Sequence, residues 1–313
     1  MSARVLRSGW FKPDLVERLD RDHAAIALPA DGSWREFAAE YGQDVEVAVV
    51  SGRTGASAEL MAALPKLRAV VSHGVGVERT DIAYAAAHGI QVANTPDVLT
   101  DCVADTAVAM LLDVMRGLSA ADRFVRAGHW PAAGNFRLTR RVSGARVGIL
   151  GLGRIGLGIA RRLEGFGISV SYHNRRPRPD LPYAYASSPL ALAKDVDALV
   201  VAATGGTDSD QLVDGPVLEA LGPRGFLVNI ARASIVAEDR MIAMLADGRL
   251  GGAALDVFAA EPQVPAELVA LDNVVLLPHL ASGTQETREA IARLVLANLE
   301  AYLATGEVLT PIH

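Results

Sequence analysis

The sequence of 313 residues has little cysteine and little lysine: it holds one cysteine, Cys102, and only three lysines among its 30 cationic residues. A single cysteine excludes an internal disulfide and a cysteine-rich metal site, and it favours a reducing compartment. The net charge of −6 excludes the basic footprint of a nucleic-acid-binding protein. No uncharged apolar run reaches the roughly 18–20 residues of a membrane helix, and residues 1–7 lack the apolar run of a signal peptide. We therefore predict a cytoplasmic protein with neither nucleic acid nor membrane as a partner.

A resident metal ion is also not predicted. His23, His88, His129 and His173 are isolated from one another in the sequence, without the clustered spacing that metal ligands require.

What the sequence does have is an alternation of short β-branched runs with helical stretches of 10–15 residues. Strands that alternate with helices predict βαβ crossovers and a parallel sheet covered on both faces, and the near-continuous apolar character of the runs agrees. The predicted strands are residues 45–50, 69–72, 90–93, 146–150, 168–172, 198–203, 226–230 and 274–277; helices are predicted at 57–64, 81–88, 155–166 and 237–247.

Two segments interrupt this alternation and predict the domain boundaries. Residues 100–128 have helical spacing after a turn-like segment at 94–97, and Ser282 precedes Gln285 at the spacing of a capping box. We place hinges near residues 96–100 and 281–285. One domain then comprises residues 1–98 and 284–313, and a second domain comprises residues 99–283.

A glycine fingerprint, G-x-G-x-x-G, follows one predicted strand and opens a helix. Gly151 allows the tight turn, Gly153 lets the backbone approach a pyrophosphate, and Gly156 lets helix and strand pack closely. The amides at the start of the helix, at Arg154 and Ile155, then face the anion. This context predicts a dinucleotide-binding site, since a strand on one side and a helix on the other are what the motif requires.

The residues at the end of the next strand bear on which nicotinamide cofactor binds. An acidic residue usually holds the ribose of NAD there, whereas this sequence has Asn174, Arg175 and Arg176. Asn174 removes a carboxylate that would repel a 2′-phosphate, and the two arginines can bond to one. A solvated basic loop is the alternative interpretation. We predict NADPH as the preferred cofactor, with NADH possible.

Three polar segments in the C-terminal half, residues 229–234, 256–262 and 278–282, each follow an apolar strand. They are expected at the carboxyl ends of the strands, where ligands bind in open α/β folds. Between them they offer an arginine, a histidine and carboxylates. Reduction of a carbonyl by hydride needs such groups, because a cation must polarise the carbonyl and an acid must protonate the new alkoxide.

Taken in order, the fingerprint and these three segments resemble the D-isomer-specific 2-hydroxyacid dehydrogenase family over about residues 69–282. Residues 94–105 resemble its first interdomain hinge and helix, and residues 174–176 resemble its NADPH-preferring glyoxylate/hydroxypyruvate reductase branch. The resemblance implies an α/β fold of two doubly wound parallel-sheet domains. A Rossmann nucleotide-binding domain is inserted in a flavodoxin-like substrate domain.

The resemblance also assigns roles in the C-terminal half. Arg232 matches the arginine that binds the carboxylate and carbonyl oxygen of the substrate, and His279 matches the acid that protonates that oxygen. Glu261 matches the carboxylate that pairs with the histidine and favours its protonated form, and Asp256 matches the residue that orients the nicotinamide carboxamide. Ala233 stands where the family usually has glycine, and we expect it to be tolerated if its φ is negative.

In the N-terminal half, Gly74, Val75 and Gly76 resemble the loop whose amides receive the substrate carboxylate. The preceding His73 is either a substrate contact or a buried loop histidine. Arg53 is a candidate second cation for a substrate tail, or else a surface arginine.

The resemblance further implies a homodimer, with Trp130 and Phe136 on the segment that forms the interface in relatives. The predicted function is NADPH-dependent reduction of small 2-keto acids, with glyoxylate and hydroxypyruvate foremost, to D-2-hydroxy acids. Bulkier substrates such as 2-ketogluconate or hydroxyphenylpyruvate remain open. D-3-phosphoglycerate dehydrogenase is an alternative within the same class. We disfavour it, because such enzymes usually have an acidic residue where this sequence has Asn174. In a different class, a dinucleotide-sensing interaction protein like the corepressors of the family is the alternative.

Overall fold

The computed structural model describes residues 4–312, and the chain divides into two compact units. One unit runs to Leu99 and resumes at Thr284, and the other spans Thr100–Gly283. Each unit has its own apolar core of mainly aliphatic side chains. Within the described residues, no helix combines the length and the apolar character that crossing a membrane requires.

The first unit is built on a five-stranded parallel sheet. Its strands are β1 (Val5–Ser8), β2 (Ile26–Ala27), β3 (Val47–Ser51), β4 (Ala69–His73) and β5 (Gln91–Ala93), and its first helices are α1 (Pro13–His23), α2 (Trp34–Tyr41), α3 (Ala58–Ala62) and α4 (Ile82–Ala87). The strand order β2-β1-β3-β4-β5 is that of flavodoxin-like sheets. All of β3 is buried, as expected for a central strand with helices on both faces.

The second unit is built on a seven-stranded parallel sheet. Its helices are α5 (Thr100–Arg116), α6 (Leu118–Arg126), α7 (His129–Ala133), α8 (Arg154–Glu164), α9 (Pro189–Lys194), α10 (Gly215–Leu221), α11 (Glu238–Ala246) and α12 (Ala266–Val269). Its strands are β6 (Arg146–Leu150), β7 (Ser169–His173), β8 (Ala184–Tyr185), β9 (Ala198–Val201), β10 (Phe226–Asn229), β11 (Gly252–Leu255) and β12 (Val274–Leu276). The order is β12-β11-β10-β9-β6-β7-β8, so the direction of strand addition reverses beside β6. This is the Rossmann arrangement, with its switch point between β6 and β9. The predicted fold class is confirmed.

The last helix, α13 (Gln285–Thr305), returns the chain to the first unit. The predicted capping box at Ser282 is wrong: Thr284 is the N-cap, and its hydroxyl accepts the amide of Thr287 at 3.2 Å. A hydroxyl two residues later in the sequence therefore satisfies an amide of the first turn.

The continuous helix predicted over residues 100–128 is also wrong. α5 ends at Arg116 and α6 begins at Leu118, because Gly117 adopts a left-handed conformation with φ of 62°. The carboxylate of Asp113 accepts the amide of Ser119 at 2.8 Å and also its hydroxyl. These bonds hold the first turn of α6 against the end of α5.

The predicted strands are present, each within two residues of the expected bounds. Four strands were not predicted from β-branched runs: β1 contains Arg7, β2 and β8 have two residues each, and β11 is mainly glycine and alanine. Short or small-residue strands lack the β-branched signal on which the predictions depended.

Candidate active site

The glycine fingerprint forms a tight turn from β6 into α8. Gly151 has φ of 100°, and a Cβ there would lie 2.5 Å from backbone atoms of Ala203. A Cβ on Gly156 would lie 2.1 Å from the carbonyl oxygen of Gly151. Gly153 is different, because nothing lies within 4 Å of its Cβ position. Two of the glycines therefore allow the turn itself, while the third leaves open space at the start of the helix.

Gly153 is the N-cap of α8, so the amides of Arg154, Ile155 and Gly156 belong to the first turn. Amides in the first turn have no acceptor within their own helix, and the helix dipole adds positive potential there. The pyrophosphate of a dinucleotide fits this combination of open space and amide donors.

The end of β7 presents the three residues on which the cofactor prediction depends. Asn174 accepts the amide of Leu152 through its Oδ1 at 2.6 Å, so it braces the fingerprint turn. Arg175 and Arg176 are exposed. The Nη1 of Arg175 lies 3.2 Å from a carboxylate oxygen of Asp208, and both side chains are at least 80% exposed. The loop therefore offers guanidinium groups at the edge of the fingerprint.

Arg232 follows β10 and is positioned by a buried asparagine. The side chain of Asn229 donates to the carbonyl oxygen of Arg232 at 3.0 Å and accepts the amide of Ala231 at 3.0 Å. The guanidinium of Arg232 donates to the carbonyl of Ala231 at 2.7 Å. Ala233 begins a short 3-10 turn, Ala233–Ile235, and is not among the described residues with positive φ. The backbone at position 233 therefore does not require the glycine that the family usually has there.

Asp256 follows β11 and is almost wholly buried. Its two carboxylate oxygens accept the amides of Leu280 at 2.7 Å and Ala281 at 3.0 Å. Burial raises the pKa of the Asp256 carboxyl, and the two amide donors oppose that shift. The contacts made by Asp256 are thus to the segment that follows His279, a role that the sequence did not indicate.

His279 and Glu261 form a close pair. The Nδ1 of His279 lies 2.8 Å and 3.0 Å from the two carboxylate oxygens of Glu261. One of these oxygens also accepts the amide of Phe258 at 3.2 Å. Because Nδ1 is engaged by the carboxylate, the ring orientation is fixed and Nε2 is the nitrogen left to meet another molecule.

The backbone at His279 has φ of 53°, a left-handed conformation unusual for a residue with a side chain. It is held by the clamp on the next two residues, which Asp256 binds through their amides. The carbonyl of Ala281 completes this clamp, accepting from the Sγ of Cys102 at 3.0 Å and the hydroxyl of Thr106 at 3.3 Å. Surrounding contacts that determine an unfavourable conformation are characteristic of functional sites.

Neighbouring parallel strands bring these groups to one edge of the second sheet. Arg232 follows β10, Asp256 and Glu261 follow β11, and His279 follows β12, and these three strands are consecutive in the sheet. The fingerprint follows β6 at the same carboxyl edge. The Rossmann topology therefore gathers the predicted catalytic and cofactor residues on one side of the second unit.

In the first unit, the loop after β4 holds the predicted substrate residues Gly74, Val75 and Gly76. Thr95 accepts the amide of Gly74 at 3.2 Å, and Asn94 donates to the carbonyl of Val75 at 2.8 Å. Gly74 has φ of 126°, which favours glycine. The loop is thus held in shape by the segment after β5.

The loop after β3 lies beside this glycine loop. A Cβ on Gly52 would be 3.5 Å from the carbonyl oxygen of Gly76. Arg53, the candidate second cation, is exposed. The strand ends of the first unit therefore bring the loop of Arg53 next to the loop of Gly74–Gly76.

His73 is a mostly buried histidine directly before the glycine loop. Its ring meets the edge of the Phe11 ring at a centroid distance of 5.6 Å. Burial lowers the pKa of His73 to about 4, and the positive charge of Arg288 contributes. These observations favour the second of the two interpretations, a buried neutral loop histidine.

Within residues 4–312, no cluster of histidine, cysteine, aspartate and glutamate could hold a metal ion.

Sequence reasoning missed the residues that support the site: Asn229, Thr106, Asn94 and Thr95. Each acts through hydrogen bonds to the backbone of a loop that is distant in sequence or turns back on itself. Only Asn229 carried a signal, since a buried polar residue ends an otherwise apolar strand.

Comparison with known proteins agrees with this geometry. Residues 108–281, more than half of the chain, match the model of the D-isomer specific 2-hydroxyacid dehydrogenase NAD-binding domain. The chain belongs to this family. It is an oxidoreductase, and its second unit contains the nicotinamide-dinucleotide-binding domain.

Relatives in the family are similar over most of their length. Hydroxyphenylpyruvate reductase of Plectranthus scutellarioides is 44% identical over 95% of this chain and 95% of that protein. Glyoxylate/hydroxypyruvate reductase A HPR2 of Arabidopsis thaliana is 47% identical over 86% of this chain and 85% of that protein. A similar solved structure is that of the NADPH-dependent glyoxylate/hydroxypyruvate reductase SmGhrB of Sinorhizobium meliloti, in complex with NADP and malonate. It is 42% identical to this chain, with a TM-score of 0.92. The match covers 100% of this chain and 97% of that chain.

Proposed function

We propose that this 2-hydroxyacid dehydrogenase is an NADPH-dependent reductase of small 2-keto acids that forms D-2-hydroxy acids. The observation that carries the proposal is the His279–Glu261 pair, at 2.8 Å, on the sheet edge that also holds Arg232 and the glycine fingerprint. A paired histidine, an arginine and a dinucleotide turn are the groups that carbonyl reduction needs.

In this proposal His279 is the proton donor. Glu261 holds Nδ1, so Nε2 gives its proton to the carbonyl oxygen of the substrate as that oxygen gains negative charge. Arg232 binds the substrate carboxylate and polarises the carbonyl, which a planar guanidinium does well because it can bond to two oxygens at once. Asp256 keeps His279 in place through the two amides after it, in addition to the predicted contact with the nicotinamide carboxamide.

The cofactor site is assigned to the second unit. Bound NADPH supplies the hydride. The amides of Gly153, Arg154, Ile155 and Gly156 bind its pyrophosphate, with Gly151 shaping the turn. Asn174 supports that turn from the end of β7. Arg175 and Arg176 bind the 2′-phosphate, and the NADP complex of the S. meliloti relative supports this preference.

The first unit is proposed to contribute its own substrate-binding residues. The amides of Val75 and Gly76 bind the substrate carboxylate. Gly74, whose own amide donates to Thr95, shapes this loop, and Arg53 is the candidate contact for a polar tail. Glyoxylate and hydroxypyruvate are the foremost substrates, since two of the similar proteins are named for them. Bulkier 2-keto acids are the second candidate, supported by the resemblance to hydroxyphenylpyruvate reductase.

We also propose that the enzyme is a homodimer. Large apolar side chains concentrate on the surface of residues 118–138, where exposed examples are Leu118, Val125, Trp130 and Leu138. Phe136 packs against Phe124 with ring centroids 5.4 Å apart, so it shapes this surface from beneath. An apolar surface of this kind is typical of a protein interface.

Initial rates of NADPH and NADH oxidation with glyoxylate, hydroxypyruvate and phenylpyruvate test the proposal. We expect turnover with a clear preference for NADPH and a D-configured product from the substrates that become chiral. Tight dinucleotide binding without turnover of any 2-keto acid would instead support the sensor-type interaction protein.

A further inference from the structure

Two of the three residues after β1, Trp10 and Phe11, carry aromatic side chains with opposite environments at the carboxyl edge of the first unit. Phe11 is 3% exposed, whereas Trp10 is 74% exposed. A tryptophan is a large apolar group, and leaving most of it in water forgoes the free energy that burial would provide. An exposed tryptophan beside candidate binding loops is therefore a candidate contact for a ligand.

The residues on either side of Trp10 are fixed by two different loops. On one side, a Cβ on Gly9 would lie 2.3 Å from the hydroxyl of Ser51, and the hydroxyl of Thr54 donates to the carbonyl of Ser8 at 3.0 Å. On the other side, the buried ring of Phe11 packs edge-on against His73. Both neighbours of Trp10 are therefore anchored, one to the segment Ser51–Thr54 and the other to His73 at the end of β4, and Trp10 itself is exposed.

These are the loops to which the proposed function assigns the substrate. His73 leads directly into Gly74–Gly76, where the carboxylate is assigned, and residues 51–54 include Arg53. A substrate whose carboxylate is bound by the glycine loop would have the rest of its carbon chain near this rim. A rigid indole can contact a flat group there with little loss of side-chain entropy.

We propose that Trp10 is a specificity-determining residue that contacts the substituent on the 2-keto group of the substrate and favours aryl-bearing 2-keto acids. The inference rests on the proposed function and extends it, because it names a residue that selects among the substrates proposed there.

The test compares glyoxylate, which has no substituent, with phenylpyruvate, which has an aryl group, in kcat/KM. We expect Trp10→Ala to lower kcat/KM for phenylpyruvate about tenfold, the size of one aromatic contact, and to change that for glyoxylate less than twofold. Trp10→Phe is expected to retain most of the activity with phenylpyruvate. Tyr41→Ala is the matched control: Tyr41 is an exposed aromatic of the same unit, but it ends α2, which leads to the opposite edge of the sheet.

Each contrary result is distinct. If wild-type enzyme reduces glyoxylate but not phenylpyruvate, or if Trp10→Ala increases turnover of phenylpyruvate, the aryl contact is refuted while the proposed function stands. An equal loss with both substrates would assign Trp10 a structural role only. If wild-type enzyme reduces none of the 2-keto acids, the proposed function itself has failed.

Discussion

The two sheets each place a histidine at a carboxyl edge, and the surroundings give the two residues different properties. His73 ends β4 against an aromatic ring, and burial lowers its pKa to about 4, which keeps it neutral at physiological pH. His279 follows β12 with a carboxylate on its Nδ1 and a clamp on the two residues after it. The position of a histidine at a strand end therefore does not define its chemistry; its nearest groups do.

The contrast extends to the rest of each edge. The edge of the second unit carries ionisable groups supported by hydrogen bonds, including the buried Asp256 and the guanidinium of Arg232. The edge of the first unit offers glycine amides, a neutral histidine, an exposed tryptophan and the exposed Arg53. We expect changes at the charged edge of the second unit to alter catalysis and cofactor choice, and changes at the edge of the first unit to alter stability and substrate selection.

Apart from the loss of His279 itself, the largest difference between the edges is expected from removing the charge beside it. Glu261→Gln should lower kcat about 100-fold, because an amide cannot support a proton-donating ring as a carboxylate does. Steady-state kinetics with glyoxylate measure this effect. Glu267→Gln, at an exposed glutamate on the following short helix, is the control and should have wild-type kcat. Wild-type kcat in Glu261→Gln would show that the pair has no catalytic role.

A second prediction concerns cofactor choice at the charged edge. Arg175→Ala combined with Arg176→Ala should raise the KM for NADPH at least tenfold and the KM for NADH less than twofold, because only NADPH has the 2′-phosphate. Arg178→Ala, which removes an arginine paired with Asp180, is the matched control. Equal effects on the two cofactors would refute the assignment of the phosphate.

A substitution at Asp208 is expected to change the KM for NADPH in the opposite direction. Asp208 lies 3.2 Å from Arg175 and competes with a phosphate for the same guanidinium. Asp208→Asn is therefore expected to lower the KM for NADPH about twofold to threefold at low salt, with a smaller change at high salt because the pair is exposed. An increase in the KM for NADPH would contradict this interpretation.

At His73, on the edge of the first unit, the predicted effect is on stability. Unfolded His73 takes up a proton below its ordinary pKa of 6.5, while the folded residue does so only near 4. The first unit should therefore lose stability as pH falls from 6.5 towards 4, by about 2 kcal/mol between pH 7 and pH 5. His73→Gln, which does not titrate, should lose less over the same interval.

Urea unfolding followed by tryptophan fluorescence measures this loss. All variants in this experiment are made in a protein that carries Trp130→Phe. The remaining tryptophans, Trp10 and Trp34, both lie in the first unit, so the fluorescence reports on that unit. His88→Gln, at an exposed histidine of that unit, is the control. Its stability should depend on pH as that of the Trp130→Phe protein does. Parallel pH dependence in the His73 and His88 variants would contradict the burial argument.

The smallest effect is expected from the clamp on the segment after His279. Thr106→Val removes one donor to the carbonyl of Ala281 and leaves Cys102 in place. Because one hydrogen bond contributes about 1 kcal/mol, kcat should fall no more than about fivefold, with the KM for NADPH unchanged. A loss of kcat as large as that in Glu261→Gln would mean that this hydrogen bond to Ala281 contributes as much to catalysis as the carboxylate of Glu261.

Much of the fold could be predicted from the sequence, because parallel strands buried on both faces are near-continuous apolar runs and because glycines mark the dinucleotide turn. Gly151 and Gly156 adopt crowded positions that exclude a side chain, so their identity was informative. The break at Gly117 could also have been suspected, since glycine is a poor helix former. The shift of the cap from Ser282 to Thr284 could not, because both hydroxyl residues precede the helix and either can serve as its N-cap.

The supporting contacts of the site were beyond sequence reasoning for a physical reason. The bonds from Asp256 to the amides after His279 join residues 24 and 25 positions apart, and those from Thr106 to Ala281 join residues 175 positions apart. Residue type alone does not reveal such partners. The left-handed conformation of His279 likewise depends on tertiary contacts, since its sequence neighbours carry no glycine or asparagine signal.

Single-turnover reduction of glyoxylate by enzyme preloaded with NADPH tests whether His279 donates the proton. For His279→Gln we predict a rate of NADPH oxidation about 1,000-fold below wild type, within the range of general acid catalysis, with the Kd for NADPH unchanged. A rate within a few-fold of wild type, at the same Kd for NADPH, would show that His279 is not the proton donor.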